Sequence, residues 1–335
     1  MASEFALIDR FVAAFAAAGG PTAGSDAGVL ALGPGDDAAL LRMPDGEYLV
    51  ATTDTLVAGR HFLPTMPAAA IGWRALAVNL SDLAAMGARP VAILVSFTLP
   101  DGDSAWLEAC GEGMGELAAA HGVALAGGNM SRGECAIGIT ALGSVPRGAE
   151  LRRSGGRPGD RVFVSGTIGC AAAGLRMAIA HSAPNTADAA RWPSMPVLRA
   201  AGDGPDSPTK ALARYLVPEP RCALGVALRG VASAAVDVSD GLLADLGHLC
   251  RASGVGARIV SARIPTAPDI PARDAVRAGD DYELCFTSSA ASAAAIQALA
   301  ARVGVGVTDI GELIAGDAVL LDGEPVGEGA GYEHF

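Results

Sequence analysis

Tyr48-Leu49-Val50-Ala51-Thr52 is an apolar, β-branched run that reads as a buried strand ending at Asp54. Residues 67–88 follow it with Trp73, Leu76, Ala77, Leu80, Leu83 and Ala84 at helical spacing, which predicts a helix and sets Asp82 near its C-terminal end. The alternation continues outward. Residues 90–99 read as a strand, 104–122 as a helix closing at a glycine, and 136–145 as a further strand, while 123–126 lead into Gly127-Gly128. At 152–160 the composition turns to Arg, Gly, Ser and Pro, which marks a junction between units 1–150 and 151–335. Beyond it come a strand at 161–165, a glycine-bounded turn before an alanine-rich helix, and a helix at 242–252 directly after Asp237-Val238-Ser239-Asp240-Gly241. Strands alternating with helices predict an α/β (α+β layer) protein of two domains. Residues 183–208, rich in Pro, Ala, Asp and Ser, read as a mobile surface excursion.

At 335 residues the chain is long enough for two cores. Its apolar content is largely alanine, so the expected packing is close helix on sheet. A formal net charge of −12 argues against nucleic acid or an anionic membrane as a partner. The six cysteines form no Cys-x-x-Cys pair and no zinc spacing, and read as small buried residues in a reducing compartment. The first twenty residues contain Glu4, Asp9 and Arg10 within their apolar stretch, so they read as an amphipathic helix and not as a secretory leader. No apolar run reaches transmembrane length. A soluble, cytoplasmic protein is expected.

Carboxylates recur in short apolar or glycine-flanked segments: Asp36-Asp37, Asp54, Asp82, Asp237 with Asp240, and Asp280-Asp281. Such acids are costly unless a positive group meets them. The chain has one lysine, Lys210, and neither a P-loop nor the kinase set of a strand lysine with Asp-Phe-Gly. Oxygen-only ligands suit Mg2+ shared with substrate phosphates, so the residues point to a metal-dependent phosphate site. Several candidate residues also have a plainer reading, helix and turn capping for Asp54 and Asp82 among them. Asp36-Asp37 fits a solvated turn, Ser239 or Asp240 fits an N-cap, His61 a satisfied buried histidine, and Arg153 beside Arg152 ordinary junction charge.

Taken in order, residues 53–62 (Thr-Asp-Thr-Leu-Val-Ala-Gly-Arg-His-Phe), 75–87 and 281–286 (Asp-Tyr-Glu-Leu-Cys-Phe) resemble the thiamine-monophosphate kinase family, within the aminoimidazole ribonucleotide synthetase-like superfamily. The resemblance runs from Glu4-Phe5 to the terminal Gly331-Tyr332-Glu333-His334-Phe335, except across 183–208. It implies ATP-dependent phosphorylation of thiamine monophosphate to thiamine diphosphate, with several Mg2+ ions and K+ as a candidate accessory ion. It also implies a homodimer paired through the N-terminal domain, with the C-terminal domain completing the site. Carried over position by position, Asp37, Thr52, Thr53, Asp54 and Asp82 fall in a first metal-ligand group, and Asp237 and Asp240 in a second. Asp54 and Asp240 are the acids on which catalysis would most depend. Gly128, Arg153 and Ser239 fall at ATP, and His61 and Asp280 at the thiamine substrate. Other readings are a different ATP-using member of the superfamily, or a nucleotide-binding protein without turnover.

The chain departs from the family pattern in three places. Asn129, in Gly127-Gly128-Asn129-Met130, stands where an aspartate is usual, so it would serve metal and ATP as a neutral amide. Asp280 is one methylene shorter than the usual glutamate, and Gly329 stands where an aromatic residue is common next to the substrate.

Overall fold

In the computed structural model, which describes residues 4–20, 30–32, 40–41, 43–182, 192–202, 208–268, 270–327 and 331, the alternation builds two main sheets. In the first half, α1 (Glu4–Ala17) precedes a short pair, β1 (Leu30–Leu32) and β2 (Leu40–Leu41). Then come β3 (Glu47–Val57), α2 (Ala68–Ala85), β4 (Arg89–Leu99), α3 (Ser104–His121), β5 (Ala124–Arg132) and β6 (Ala136–Pro146). The four long strands form one sheet in the order β3-β6-β4-β5, with β4 and β5 parallel and the other pairs antiparallel. As expected, α3 closes at Gly122, whose φ of 66° lies in the left-handed region, while Asp103 caps its start by accepting from the N–H groups of Ala105 and Trp106. α1 is amphipathic as read: Phe11 and Phe15 are buried, and Phe11 meets Phe97 of β4 edge-on.

β3 departs from expectation. It does not stop at Asp54 but pairs with β6 as far as Val57, and it is not buried throughout. Period-two alternation turns Thr52 and Asp54 toward α2 and Leu49, Ala51, Thr53 and Thr55 to the opposite face, which no described helix covers. Leu49 and Leu94 on that open face are 51% and 40% exposed.

The second half runs β7 (Arg161–Ser165), α4 (Cys170–His181), α5 (Met195–Gly202), α6 (Pro208–Leu216), α7 (Cys222–Ala227), β8 (Ala234–Val238), α8 (Leu242–Ser253) and β9 (Gly256–Ile259). It ends with α9 (Ala272–Ala275), β10 (Glu283–Ser288), α10 (Ala293–Arg302), β11 (Val307–Ile314), β12 (Val319–Leu321) and β13 (Glu324–Pro325). Its sheet has the order β13-β12-β9-β11-β7-β10-β8, antiparallel except between β12 and β9. Part of the 183–208 excursion is better ordered than its composition implies. α5 buries Leu198, Arg199 pairs with Glu116 of α3, and the Trp192 indole donates to the Thr65 carbonyl. Residues 183–191 and 203–207 lie outside the described residues.

α2 joins the two halves. Its buried positions run almost without a break from Ala70 to Ala85, because one side lies on the first sheet and the other meets the second half. Trp73 donates to the Pro218 carbonyl and Arg74 to the Tyr215 carbonyl. Small residues make the packing on α3 possible: a Cβ on Gly72 would sit 2.0 Å from the Cys110 carbonyl oxygen, and one on Gly113 1.9 Å from that of Ala69. α2 therefore carries Asn79, Ser81 and Asp82 to a boundary that both halves face.

Candidate active site

At that boundary lies a cleft of about 820 Å³, lined from β3, α2, the start of α4, the turn after β8 and the segment before β10. Asp54, His61, Asp82, Asp237, Ser239, Asp240 and Asp280 all line it, so residues from positions 54 to 280 of the sequence are brought to one place. Thr52 lies directly behind, its hydroxyl donating to Asp82 Oδ2 at 2.5 Å. Asn79 fixes β3 against α2 by accepting the Asp54 N–H at 3.1 Å while its amide donates to the Ala75 carbonyl. Ser81, one residue before Asp82 and buried, donates to Asp237 Oδ2 at 2.8 Å.

Two of these acids carry a cost. Burial pushes Asp237 well above the usual carboxylate range, and the charges of Asp82 and Asp245 push it further, against the Ser81 hydroxyl and the Arg153 guanidinium. Burial also raises Asp82, with the Thr52 hydroxyl and Arg153 opposing. Carboxylates that burial makes costly to ionise are suited to a bound cation. Among the described residues, no three His, Cys, Asp or Glu side chains converge closely enough to cage a metal unaided.

The turn after β8 is held from inside. Asp245, in the first turn of α8, accepts the N–H groups of Ser239, Asp240 and Gly241 at 3.0–3.1 Å. Neither Ser239 nor Asp240 caps the helix; Gly241 is the N-cap and offers no side chain. Burial and the Asp240 charge lift Asp245 to about 7. With its amide engaged, Ser239 has its hydroxyl left for a ligand. The same turn is joined to the segment before β10, since Asp280 N–H donates to the Ser239 carbonyl and Tyr282 N–H to that of Val238, each at 2.8 Å. The approach is close enough to require Gly279, where a Cβ would meet the Ser239 oxygen at 2.4 Å.

The remaining candidates are placed differently. Thr53 lines the cleft, but its side chain is on the open face of the sheet, donating to the Ile139 carbonyl. His61 accepts the Val57 N–H on Nδ1 at 3.0 Å, so the neutral ring carries its proton on Nε2. Arg153 is exposed, outside the cleft lining, yet near enough to favour the charged forms of Asp82 and Asp237. Gly128 and Asn129 are exposed on β5 and line a different, small cavity beside α1. Asn129 aligns with Ser96, Gly138 and Thr55 across the sheet, three strand spacings or roughly 14 Å from β3. The structure thus does not bring Asn129 to the acids within one subunit. Asp37 and Gly329 lie outside the described residues, although Gly331 lines the cleft.

Sequence reading missed Arg74, Arg277, Asp245 and Tyr282. Arg74, Arg277 and Tyr282 line the cleft. Arg74 and Tyr282 sit inside or beside stretches already singled out, but their roles depend on a pairing 206 positions apart that no local pattern carries.

Residues 35–145 match the AIR synthase related protein N-terminal domain, and residues 157–322 match the C-terminal domain of the same family. A thiamine-monophosphate kinase of Escherichia coli is 42% identical over 316 residues, covering 91% of this chain and 92% of that protein. The chain belongs to the thiamine-monophosphate kinase family. Its fold agrees with that membership: the crystal structure of thiamine-monophosphate kinase from Stenotrophomonas maltophilia K279a superposes with a TM-score of 0.82 at 41% identity, covering 97% of this chain and 98% of the other. AaThiL complexed with AMPPCP and TMP matches with a TM-score of 0.72 at 29% identity, over 99% of this chain and 97% of that one.

Proposed function

We propose that this kinase-family protein transfers the γ-phosphoryl group of ATP to the phosphate of thiamine monophosphate, forming thiamine diphosphate. The observation that carries the reading is the cleft itself, where Asp54, Asp82, Asp237 and Asp240 from both halves of the chain converge, with Asp82 and Asp237 raised by burial and Asp237 further by the charges of Asp82 and Asp245. Family membership, and the nucleotide analogue and TMP held by AaThiL, support the choice of substrates.

Asp54, Asp82, Asp237 and Asp240 would hold Mg2+, with Thr52 orienting Asp82 and Ser81 orienting Asp237. Asp37 and the Thr53 carbonyl are further candidates for the first ligand group, and K+ is a candidate accessory ion. When bound, Mg2+ supplies charge neutralisation between donor and acceptor phosphates. Two unit charges 4 Å apart repel by about 4 kcal/mol at an effective dielectric of 20. The acceptor is a phosphate monoester, already ionised near neutral pH, so the chain needs no strong general base. Its work is to align two anions in line. Ser239 and Arg153 are placed to contact ATP. His61 and Asp280 would contact the thiamine moiety, with Gly329, outside the described residues, a further candidate.

Residues 1–150 would form the ATP, Mg2+ and dimerisation domain, and 151–335 the domain that completes the site. The open sheet face with Leu49 and Leu94 would be covered by a second copy in a homodimer. Because Asn129 and Gly128 lie at the far edge of that sheet, any service to metal and ATP would be given across the subunit pair. The protein is assigned to the cytoplasm, where ATP and the thiamine pathway meet; no described helix is long and apolar enough to cross a membrane.

Asp54→Asn and Asp240→Asn test this reading. Each is expected to abolish Mg2+-dependent turnover while far-UV circular dichroism stays unchanged, because each removes charge and almost no volume. Turnover near wild type in either variant removes that residue from the metal site.

A further inference from the structure

Arg74 is the largest fully buried side chain among the described residues, 1% exposed, and it is one of three arginines in a cleft that also holds five aspartates. Such a group has to be paid for by partners. Its Nη1 donates to the Tyr215 carbonyl at 2.7 Å, and its guanidinium carbon lies 4.8 Å from the Tyr215 ring centre and 5.6 Å from that of Tyr282. Nη2 meets Asp280 Oδ1 at 2.5 Å. Burial opposes its charge, but Asp280 and the two tyrosines more than offset burial and keep it protonated.

The grip on Asp280 is one-sided. The Tyr282 hydroxyl also donates to Oδ1, at 3.0 Å, so both protein donors take the same carboxylate oxygen. Among the described residues no side chain or amide engages Oδ2, and the Asp280 side chain is 36% exposed and lines the cleft. The backbone is committed to the arrangement as well: Asp280 and Tyr282 both hold positive φ, 71° and 51°, where residues with side chains are uncommon.

We propose that Arg74, with Tyr282, is the positioning device for the substrate-binding carboxylate of Asp280. They clamp Asp280 through Oδ1 and leave Oδ2 as the acceptor for an N–H donor on a cationic heteroaromatic substrate. This rests on the reading of Asp280 as a thiamine-side residue. It also accounts for the short side chain at 280, because a guanidinium on a long stem reaches out to a carboxylate that sits one methylene back. The clamp neutralises Asp280 in part, so selectivity comes from the direction of one oxygen and not from net negative charge.

The test measures initial rates of ATP-dependent thiamine diphosphate formation by Tyr282→Phe, Arg74→Lys and Arg74→Lys/Asp280→Glu, in the full chain. Tyr282→Phe removes one hydroxyl and is expected to raise KM for thiamine monophosphate about three- to tenfold, with KM for ATP unchanged. Arg74→Lys shortens the reach and loses the second donor, and is expected to raise the same KM about tenfold or more. Adding Asp280→Glu returns the missing methylene, and should recover most of that loss. A merely structural role predicts the opposite: both KM values and kcat would change together, and the double variant would be no better than Arg74→Lys. Either that result or an unchanged KM in Tyr282→Phe overturns the proposal. Absence of thiamine diphosphate formation in the wild type would instead overturn the assignment of substrate on which it rests.

Discussion

Replacing Asp237 by asparagine should separate what the fold tolerates from what the site requires. Asp237 is 3% exposed in β8, it accepts a side-chain hydrogen bond from Ser81, and burial together with Asp82 and Asp245 lifts it well above the usual carboxylate range. A folded-state value raised above the unfolded one means the native protein binds the extra proton, so the associated stability is present below the ordinary carboxylate value and is lost as pH rises. Each pH unit across which that proton is retained only by the folded state costs about 1.4 kcal/mol of metal-free stability. At about 2.1 cal/mol/K of unfolding entropy per residue, a chain of 335 residues unfolding as one unit shifts its Tm by about 1.4 °C per kcal/mol. The asparagine side chain keeps the shape and the acceptor for Ser81 but carries no charge. Without Mg2+ the Asp237→Asn variant should therefore melt higher than wild type, by an amount that grows as pH rises above the ordinary carboxylate range. Added Mg2+ should raise the wild-type Tm more than the variant's, and turnover in the variant should fall about a hundredfold or more, given that groups merely behind a metal ligand are worth roughly 10–100-fold. Thermal melts across a pH series rising from the ordinary carboxylate range, with and without Mg2+, read all of this except turnover. A variant that is less stable than wild type under every condition, with Mg2+ stabilising both equally, would refute the claim that Asp237 is a carboxylate held for a cation.

Two further outcomes follow from particular contacts. Asn129→Asp places a charge on β5 and should shift the Mg2+ dependence of turnover to lower concentration; an unchanged titration would take position 129 out of the metal site. Asp281, buried and accepting the N–H groups of Gly169 and Ala171 at the start of α4, is raised by burial to about 8. By the same sign, its contribution to stability is full below the ordinary carboxylate value and declines as pH rises toward about 8, so Asp281→Asn should flatten stability against pH over that interval in chemical denaturation, and an unaltered slope would count against it.

The sequence made α2 legible because its apolar positions repeat at helical spacing, and α3 because Gly122 ends it where a left-handed residue is needed. The turn after β8 was likewise readable from the acids and glycine between a strand and a helix. What escaped depended on neighbours distant in sequence. β3 runs past Asp54 because β6 continues to pair with it, and α5 forms because Leu198 and Arg199 find partners on other elements. Asp245 looked like one more helix acid, since its three amide partners exist only once the turn has folded back over α8. Asn129 was adjacent to the other motifs in pattern alone. Sheet order, which no single strand declares, sets it at the opposite edge.

In the proposed reaction these acids assemble a Mg2+-dependent site joining two phosphates. Steady-state formation of thiamine diphosphate from ATP and thiamine monophosphate by the wild-type protein, with and without Mg2+, tests it most directly. Turnover should require Mg2+ and be lost when thiamine monophosphate is replaced by thiamine, which lacks the acceptor phosphate. ATP binding with no thiamine diphosphate formed at any Mg2+ concentration, or equal turnover in its absence, would contradict it.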